Sequence, residues 1–233
     1  MIFRKSYLSD VAVRASWVLM LVLILSGCQT IQFERPHVLS ETDWPTDGRT
    51  DARNRTVQDS LTLPLEEVWR YSANAGFGAG SPLILQDRAL VGTRKGEVHT
   101  ITIETGRGAG FKQMGESVEG SPLIYEGLMF VPVAWGKHIL VAFDLAKGTN
   151  KWRAKGVPFA TALVDHGDTV VGVDLEGTLR AYDIQDGSES WALSLAPYQS
   201  FQASPIRLGE SSVLLADISG TLYRVNLDSR EIE

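Results

Sequence analysis

The sequence predicts an all-β chain: a β-propeller of four-stranded antiparallel blades, with about four blades present. Three observations carry that prediction. A unit of about 40 residues recurs four times after residue 80. Each unit is built of short apolar runs, one of them alternating with period two, and no long helical period appears beyond the N-terminal leader. Each unit is punctuated by glycine turns at matching places, and its last strand ends near an aromatic residue. Self-similarity at this period marks a repeat architecture whose unit is one supersecondary motif, and four short strands per unit is a propeller blade.

The N-terminus stands apart from the repeats. Arg4, Lys5 and Arg14 precede an apolar run of eleven residues, Ala15 to Leu25. That run is too short to span a bilayer, which needs roughly 20 residues, and it has the shape of a secretory signal. It leads into Leu25-Ser26-Gly27-Cys28, which holds the only cysteine. The tetrapeptide resembles the lipobox of bacterial lipoproteins. The resemblance implies residues 1–27 as a signal peptide, cleavage before Cys28, and lipidation of Cys28 on its sulfur and its new α-amine. Gln29, in place of Asp, implies sorting to the outer membrane. With Cys28 acylated no thiol is left for a disulfide or a zinc site. Loss of Arg4, Lys5, Arg14 and Asp10 leaves 19 of 22 basic and 27 of 28 acidic residues, a net charge of −8. So acidic a surface does not suit nucleic acid or electrostatic adhesion to anionic lipid, and membrane attachment falls to the lipid on Cys28.

Residues 28–60 read as a lipidated tether and a lead-in. Trp44, within Asp43-Trp44-Pro45, is expected to pack on the outside of the domain that follows, residues 61–233. Leu65 to Tyr71 reads as a single strand with Trp69 near its end. Gly76, Gly78 and Gly80 are not followed by the Gly-Lys-Ser/Thr and helix of a phosphate loop, so they predict a tight loop entering an inner strand.

The repeats follow at about 81–120, 121–161, 162–203 and 204–233. Ser81-Pro82-Leu83-Ile84 opens the first and recurs 40 residues later as Ser121-Pro122-Leu123-Ile124. The corresponding places in the later copies are Ala162 to Val164 and Ser204-Pro205-Ile206. A second strand covers Arg88 to Gly92, Leu128 to Val133, Thr169 to Val173 and Val213 to Ala216. Turns at Gly96, Gly136, Gly177 and Gly220 lead to the alternating third strand, at Val98 to Ile103, Ile139 to Leu145, Leu179 to Ile184 and Leu222 to Leu227. Glu104, Asp144, Asp183 and Asn226 mark its end, followed by Gly108, Gly148, Gly187 and Arg230. Asp or Asn there bonds the turn backbone and Gly supplies a positive φ, so these acids read as turn formers and not as a site. Phe111, Trp152 and Trp191 then stand near the end of the fourth strand, with Trp69 in the same phase ahead of the first copy. One large ring per blade fills the gap between neighbouring sheets.

Ala142-Phe143-Asp144 to Gly148 to Trp152, and Ala181-Tyr182-Asp183 to Gly187 to Trp191, resemble the quinoprotein-type (PQQ-like) repeat, with its Ala-x-Asp-x-x-x-Gly-x-x-x-Trp pattern. Among lipoproteins of this kind the chain is similar to the BamB family. That resemblance implies a lipid-anchored periplasmic scaffold, without catalysis or cofactor, that binds protein partners in outer-membrane β-barrel assembly, above all a barrel-assembly subunit. It also implies an eight-bladed ring, of which about four blades are present. The spacing places the fourth copy's tryptophan one position beyond Glu233, which points to a partial propeller. The other arrangement is a closed four-bladed ring in which Leu65–Tyr71 completes the last blade. An open arc would leave apolar blade faces bare. Partner contact is expected in loops, with Tyr198 and Phe201, between the third and fourth blades, as candidate residues. Two other functions stay open: an envelope sensor or small-ligand module, and a PQQ-dependent dehydrogenase. The second is disfavoured because His37, His99, His138 and His166 are scattered and no free cysteine pair exists.

Overall fold

Within the four repeats, strands begin within about two residues of the places that the repeat marks. In the computed structural model, residues 31–57, 60, 62–196 and 199–233 are described. The first blade comprises β1 (Leu83–Leu85), β2 (Arg88–Gly92), β3 (Glu97–Thr102) and β4 (Gly108–Gln113). The second comprises β5 (Leu123–Tyr125), β6 (Leu128–Pro132), β7 (Leu140–Asp144) and β8 (Thr149–Ala154). The third comprises β9 (Val164–His166), β10 (Thr169–Val173), β11 (Thr178–Asp183) and β12 (Glu189–Ser194). The fourth comprises β13 (Ile206–Leu208), β14 (Ser212–Ala216), β15 (Leu222–Asn226) and β16 (Glu231–Ile232). Each blade is an antiparallel meander in chain order. Among the described residues no helix is long and apolar enough to cross a membrane.

Because the strands alternate in direction, all blades share two ends. In each blade the turns between first and second strands and between third and fourth strands lie at what we call the lower end. The turns between second and third strands, and the connections between blades, lie at the upper end. Both faces of the second and third blades are buried, so their inner strands read as continuous apolar runs. Ile124, Met129, Val131 and Phe143 meet the first blade, while Leu123, Phe130, Leu140 and Ala142 meet the third. A further cluster joins Val171 and Leu179 to Val213 and Val225 between the third and fourth blades. The fourth blade carries apolar residues on its far face as well, and there they are bare. Ile206 is 39% and Leu222 66% exposed, where their counterparts Leu83, Leu123 and Val164, and Val98, Leu140 and Leu179, are almost fully buried.

A tryptophan wedge joins successive blades. The Trp152 indole donates to the Ile184 carbonyl at 3.0 Å and lies on Gly187, where a Cβ would come within 2.5 Å of the ring. Trp69 does the same to the first blade, donating to the Ile103 carbonyl at 2.6 Å and covering Gly106. Glycine is therefore required twice at this turn, by positive φ and by the approach of the ring.

The first copy departs from its expected register by two residues. Its turn runs from Thr102 to Gly106, whose amide donates to the Thr102 carbonyl at 2.8 Å, so Thr102 and Gly106 stand where Glu104 and Gly108 were expected. In β4 it is Gly110 that faces Thr100, as Trp152 faces Ala142 in the second blade. Phe111 sits one residue further along, and one residue turns a strand side chain to the opposite face. It is 55% exposed and stacks on His99 with ring centroids 5.2 Å apart, so it does not wedge the first blade against the second. Ile31 and Phe33 join that interface instead, in a cluster with Phe143 and Leu145. The Phe33 amide donates at 2.8 Å to the Leu145 carbonyl, the counterpart of the carbonyls that Trp69 and Trp152 take elsewhere.

The lead-in is thus part of the fold. Trp44 forms an antiparallel bridge with Ile84 in β1, so it packs along the inner edge of the arc and not on its outside. Pro45 accepts from Ile124 in β5, Arg53 donates to the carbonyls of Leu163 and Pro205, and Asp51 accepts from Arg207 in β13. Ten residues therefore touch the first strand, or the residue just before it, in all four blades. Leu65–Tyr71 forms no strand. It lies against the first blade, and Glu231–Ile232 is the fourth strand of the fourth blade, so the alternative arrangement, in which Leu65–Tyr71 completes that blade, does not occur.

Candidate protein-binding surface

Rigid blades leave variation to their turns. At the upper end the turn between the second and third strands of a blade is held by one side chain in three of the four copies. The Asp174 carboxylate, which is buried, accepts from the amides of Glu176 and Thr178 at 2.9 and 3.0 Å and from Arg180 Nε at 2.7 Å. Asp217 accepts from Ser219 and Thr221, and these bonds hold it below the usual carboxylate range, the Ser219 hydroxyl foremost. Thr93 Oγ1 accepts from the Glu97 amide. The fourth member of the series is Val133, which has no acceptor to offer. There the closing bond spans six residues, Val133 to Ile139, where the others span four.

The wider turn of the second blade pushes Trp135 outward, where it is 69% exposed. Beside it opens a cavity of about 210 Å³, lined by Met114, Glu116, Trp135, Lys137, His138 and Arg153 among others. Lys155 lies close enough to act on the same histidine. Partial burial, and then the cations Arg153, Lys137 and Lys155, push His138 below its ordinary range. Among the described residues Lys137, Arg153 and Lys155 make no ion pair. Phe77, Leu175 and Ile218 expose further apolar surface at the upper end, at 40%, 41% and 61%.

The sequence-predicted site residues fall differently. Cys28 and Tyr198 lie outside the described residues. Phe201 is corrected: it is 3% exposed, bridges to Asp217 and packs against Tyr223 with centroids 5.7 Å apart. Its apolar ring completes the core between the third and fourth blades and offers a partner no surface. The acids in register are turn formers, as their hydrogen bonds require: Asp144 accepts from Ala146 and Lys147, and Asp183 from Gln185 and Asp186. The histidines stay apart: His99 is bonded to Tyr71 and Glu97, and His166 to Asp228. Among the described residues no three His, Cys, Asp or Glu side chains are placed to hold a metal ion.

One charged group sits at the inner edge. Arg207 bridges Asp51 at 2.7 Å and Asp165 at 3.1 Å. Burial, and then repulsion from Asp165, push Asp51 up to about 6, while Arg207 opposes the shift. A second cavity, of about 440 Å³, lies at the lower end beside Phe33, Gln86 and Arg88.

Four-stranded meanders in series, with Trp69 lying on Gly106 and Trp152 on Gly187 where blades meet, define a propeller of quinoprotein-type repeats. The chain belongs to the family described as outer membrane protein assembly factor BamB, whose model matches residues 66–231. It is 26% identical over 157 residues to the outer membrane protein assembly factor BamB of Francisella salina, covering 63% of this chain and 29% of that protein. The chain thus spans less than a third of that relative. The crystal structure of BamB from Moraxella catarrhalis superimposes with a TM-score of 0.63 at 20% identity, over 71% of this chain and 53% of that one. The quinohemoprotein alcohol dehydrogenase ADHIIG of Pseudomonas putida HK5 gives 0.69 at 15% identity, over 88% and 42%. At these identities the structural likenesses establish the fold alone.

Proposed function

We propose that this chain is a non-catalytic propeller scaffold, held in the outer membrane by lipid on Cys28 and facing the periplasm. There it binds protein partners during β-barrel assembly, among them a barrel-assembly subunit. The observation that carries the reading is the family match across residues 66–231. The engagement of the register acids in turns supports the absence of catalysis. The N-terminal segment adds an orientation. Ile31 is fully buried between the first two blades, three residues after Cys28. Three residues reach about 10 Å at most, so the lipid is leashed near the lower end and the upper end faces away from the membrane.

The test is co-purification of the tagged protein from mild detergent with the subunit, which the reading requires. Recovery of a quinone-linked oxidation in place of the partner overturns it. Cys28→Ala should release the protein from membranes, and unchanged retention would remove the anchor from the reading.

A further inference from the structure

The second blade's irregular turn gathers what the rest of the surface keeps apart. Trp135 is the exposed tryptophan at a turn position where other copies carry Lys95, Glu176 or Ser219. Its cavity is lined by Lys137 and Arg153, neither of them in an ion pair, and by Glu116 as its one acidic residue, with Met114 fully buried at its base. In a chain of net charge −6, such a group is a local reversal of sign. A wider turn with a large exposed ring gains nothing for the blade itself, because the Trp135 ring leaves apolar surface in water at a turn position where the other copies carry polar residues. An exposed aromatic body beside exposed cations that lack an ion-pair partner is a combination that recognises a carboxylate-bearing, partly apolar segment.

We propose that the Trp135–Lys137–Arg153 pocket is a docking site for an acidic peptide segment of a partner protein, seating one apolar side chain against Trp135 while its carboxylates meet Lys137, Arg153 and Lys155. The charge complementarity selects the occupant. An anionic membrane would satisfy the same cations, but the upper end faces away from the leash at Ile31. The inference rests on the scaffold reading and names a site within it.

The experiment uses the full chain purified in detergent, with fluorescence anisotropy of a labelled synthetic peptide carrying aspartates on both sides of one phenylalanine. The comparison peptide has lysines in place of the aspartates. The acidic peptide should bind, the lysine peptide should not, and added salt should weaken binding, because exposed charges are screened. Trp135→Ala and the double variant Lys137→Glu, Arg153→Glu should each weaken it by at least about tenfold, the scale of an anchor residue. All three positions are at the surface, and unchanged urea midpoints verify that the variants fold. Equal binding of both peptides, or an acidic-peptide affinity that ignores these substitutions, overturns the proposal. So does binding to vesicles of anionic phospholipid that depends on the same residues while the peptide fails to bind. Loss of peptide binding with the barrel-assembly subunit still co-purifying defeats the pocket and leaves the scaffold reading standing. Peptide binding without the subunit does the reverse.

Discussion

If the lead-in is a structural member, removing its central cation should unfasten the inner edge of the arc. Arg53 is the group to change. Its side chain is 6% exposed, with Nε donating to Pro205 O at 2.7 Å, one terminal nitrogen to Asp47 O at 2.8 Å, and the other to Leu163 O at 3.4 Å. The Asp47 carboxylate adds an ion pair at 3.4 Å. Burial lowers the guanidinium's pKa, while Asp47 and Asp51 raise it. Two short bonds from a charged donor contribute roughly 1.5–3 kcal/mol each, and breaking a buried pair strands the other partner. These effects overlap, so Arg53→Ala should cost about 3–5 kcal/mol of a total commonly near 5–15 kcal/mol. With a urea dependence of about 2–3 kcal/mol per molar, the midpoint should fall by about 1–2 M. Arg55 is the control: it faces the same Asp47 at 3.6 Å but is 67% exposed, so Arg55→Ala should cost below about 1 kcal/mol. Arg53→Lys, which keeps the charge and loses the planar fork, should fall between. Equal midpoints for Arg53→Ala and Arg55→Ala would refute the reasoning, because burial and the contacts to two blades are what separate the two residues.

Three further outcomes follow from the same geometry. The Asp51 carboxyl has a folded pKa of about 6 against 3.8 for the free group, so the folded state binds the proton more tightly. Its stabilising contribution is full below about pH 4 and is lost as pH rises to about 6, a change of order 2 kcal/mol after allowing for partial exposure. Asp51→Asn should therefore be more stable than the parent above about pH 6 and equal to it near pH 4, read as urea midpoints; a parent that gains on the variant as pH rises contradicts this. Gly187→Ala adds strain at φ 75° and a Cβ 2.5 Å from the Trp152 ring, for about 2–4 kcal/mol in all, while Gly209→Ala, at φ 69° with nothing nearby, should cost only about 1–2 kcal/mol in thermal or urea melts. Phe33→Ala should cost about 3–4 kcal/mol and Phe111→Ala below about 1 kcal/mol, in the order of their burial and against the order of the repeat pattern. Equal losses would mean that the wedge in the first interface is Phe111 after all.

The blades were legible because each is fixed by local chemistry repeated in register. Gly96, Gly136, Gly177 and Gly220 all take a positive φ, as their turns demand, and β2 and β10 keep the bounds that their apolar runs suggest. The first copy was misread at Glu104, Gly108 and Phe111 because counting from a motif cannot locate a two-residue slip when no Asp or Trp marks the phase. Thr102 can end that strand without an Asx acceptor, and Gly110 leaves no side chain to reveal its place. The lead-in was unreadable for another reason. Its contacts are one bridge to the first sheet and isolated hydrogen bonds to the other three, and such contacts impose no periodicity on residues 43–53. Phe201 looked like a loop anchor since its sequence neighbours are polar, but a ring whose backbone pairs with Asp217 is drawn into the interface that the blades already form. Trp135 was visible only as a turn residue. The signal that could have found it is the spacing from Val133 to Ile139, two residues longer than in its three counterparts.

An arc of blades touching only their neighbours should behave as a nearest-neighbour array, in which a blade with a bare face frays first. Among the described residues the fourth blade has such a face. Ile206, Leu208 and Leu222 remain 39%, 49% and 66% exposed, so it lacks the apolar stabilisation that an interface on its far face supplies to the other three. What opposes fraying is the lead-in. It enters between the first two blades at Ile31 and Phe33, pairs with β1 at Trp44, and reaches the fourth blade through Asp51 and Arg53. Because that strap closes contacts more than 150 residues apart in sequence, loosening the fourth blade also unseats residues that brace the third, through Leu163 and Asp165. The strap therefore converts a chain of pairwise interfaces into a more cooperative unit. It also ties the inner edge of all four blades to a segment that begins three residues beyond Cys28, so that a pull on that segment would be carried by the blades together.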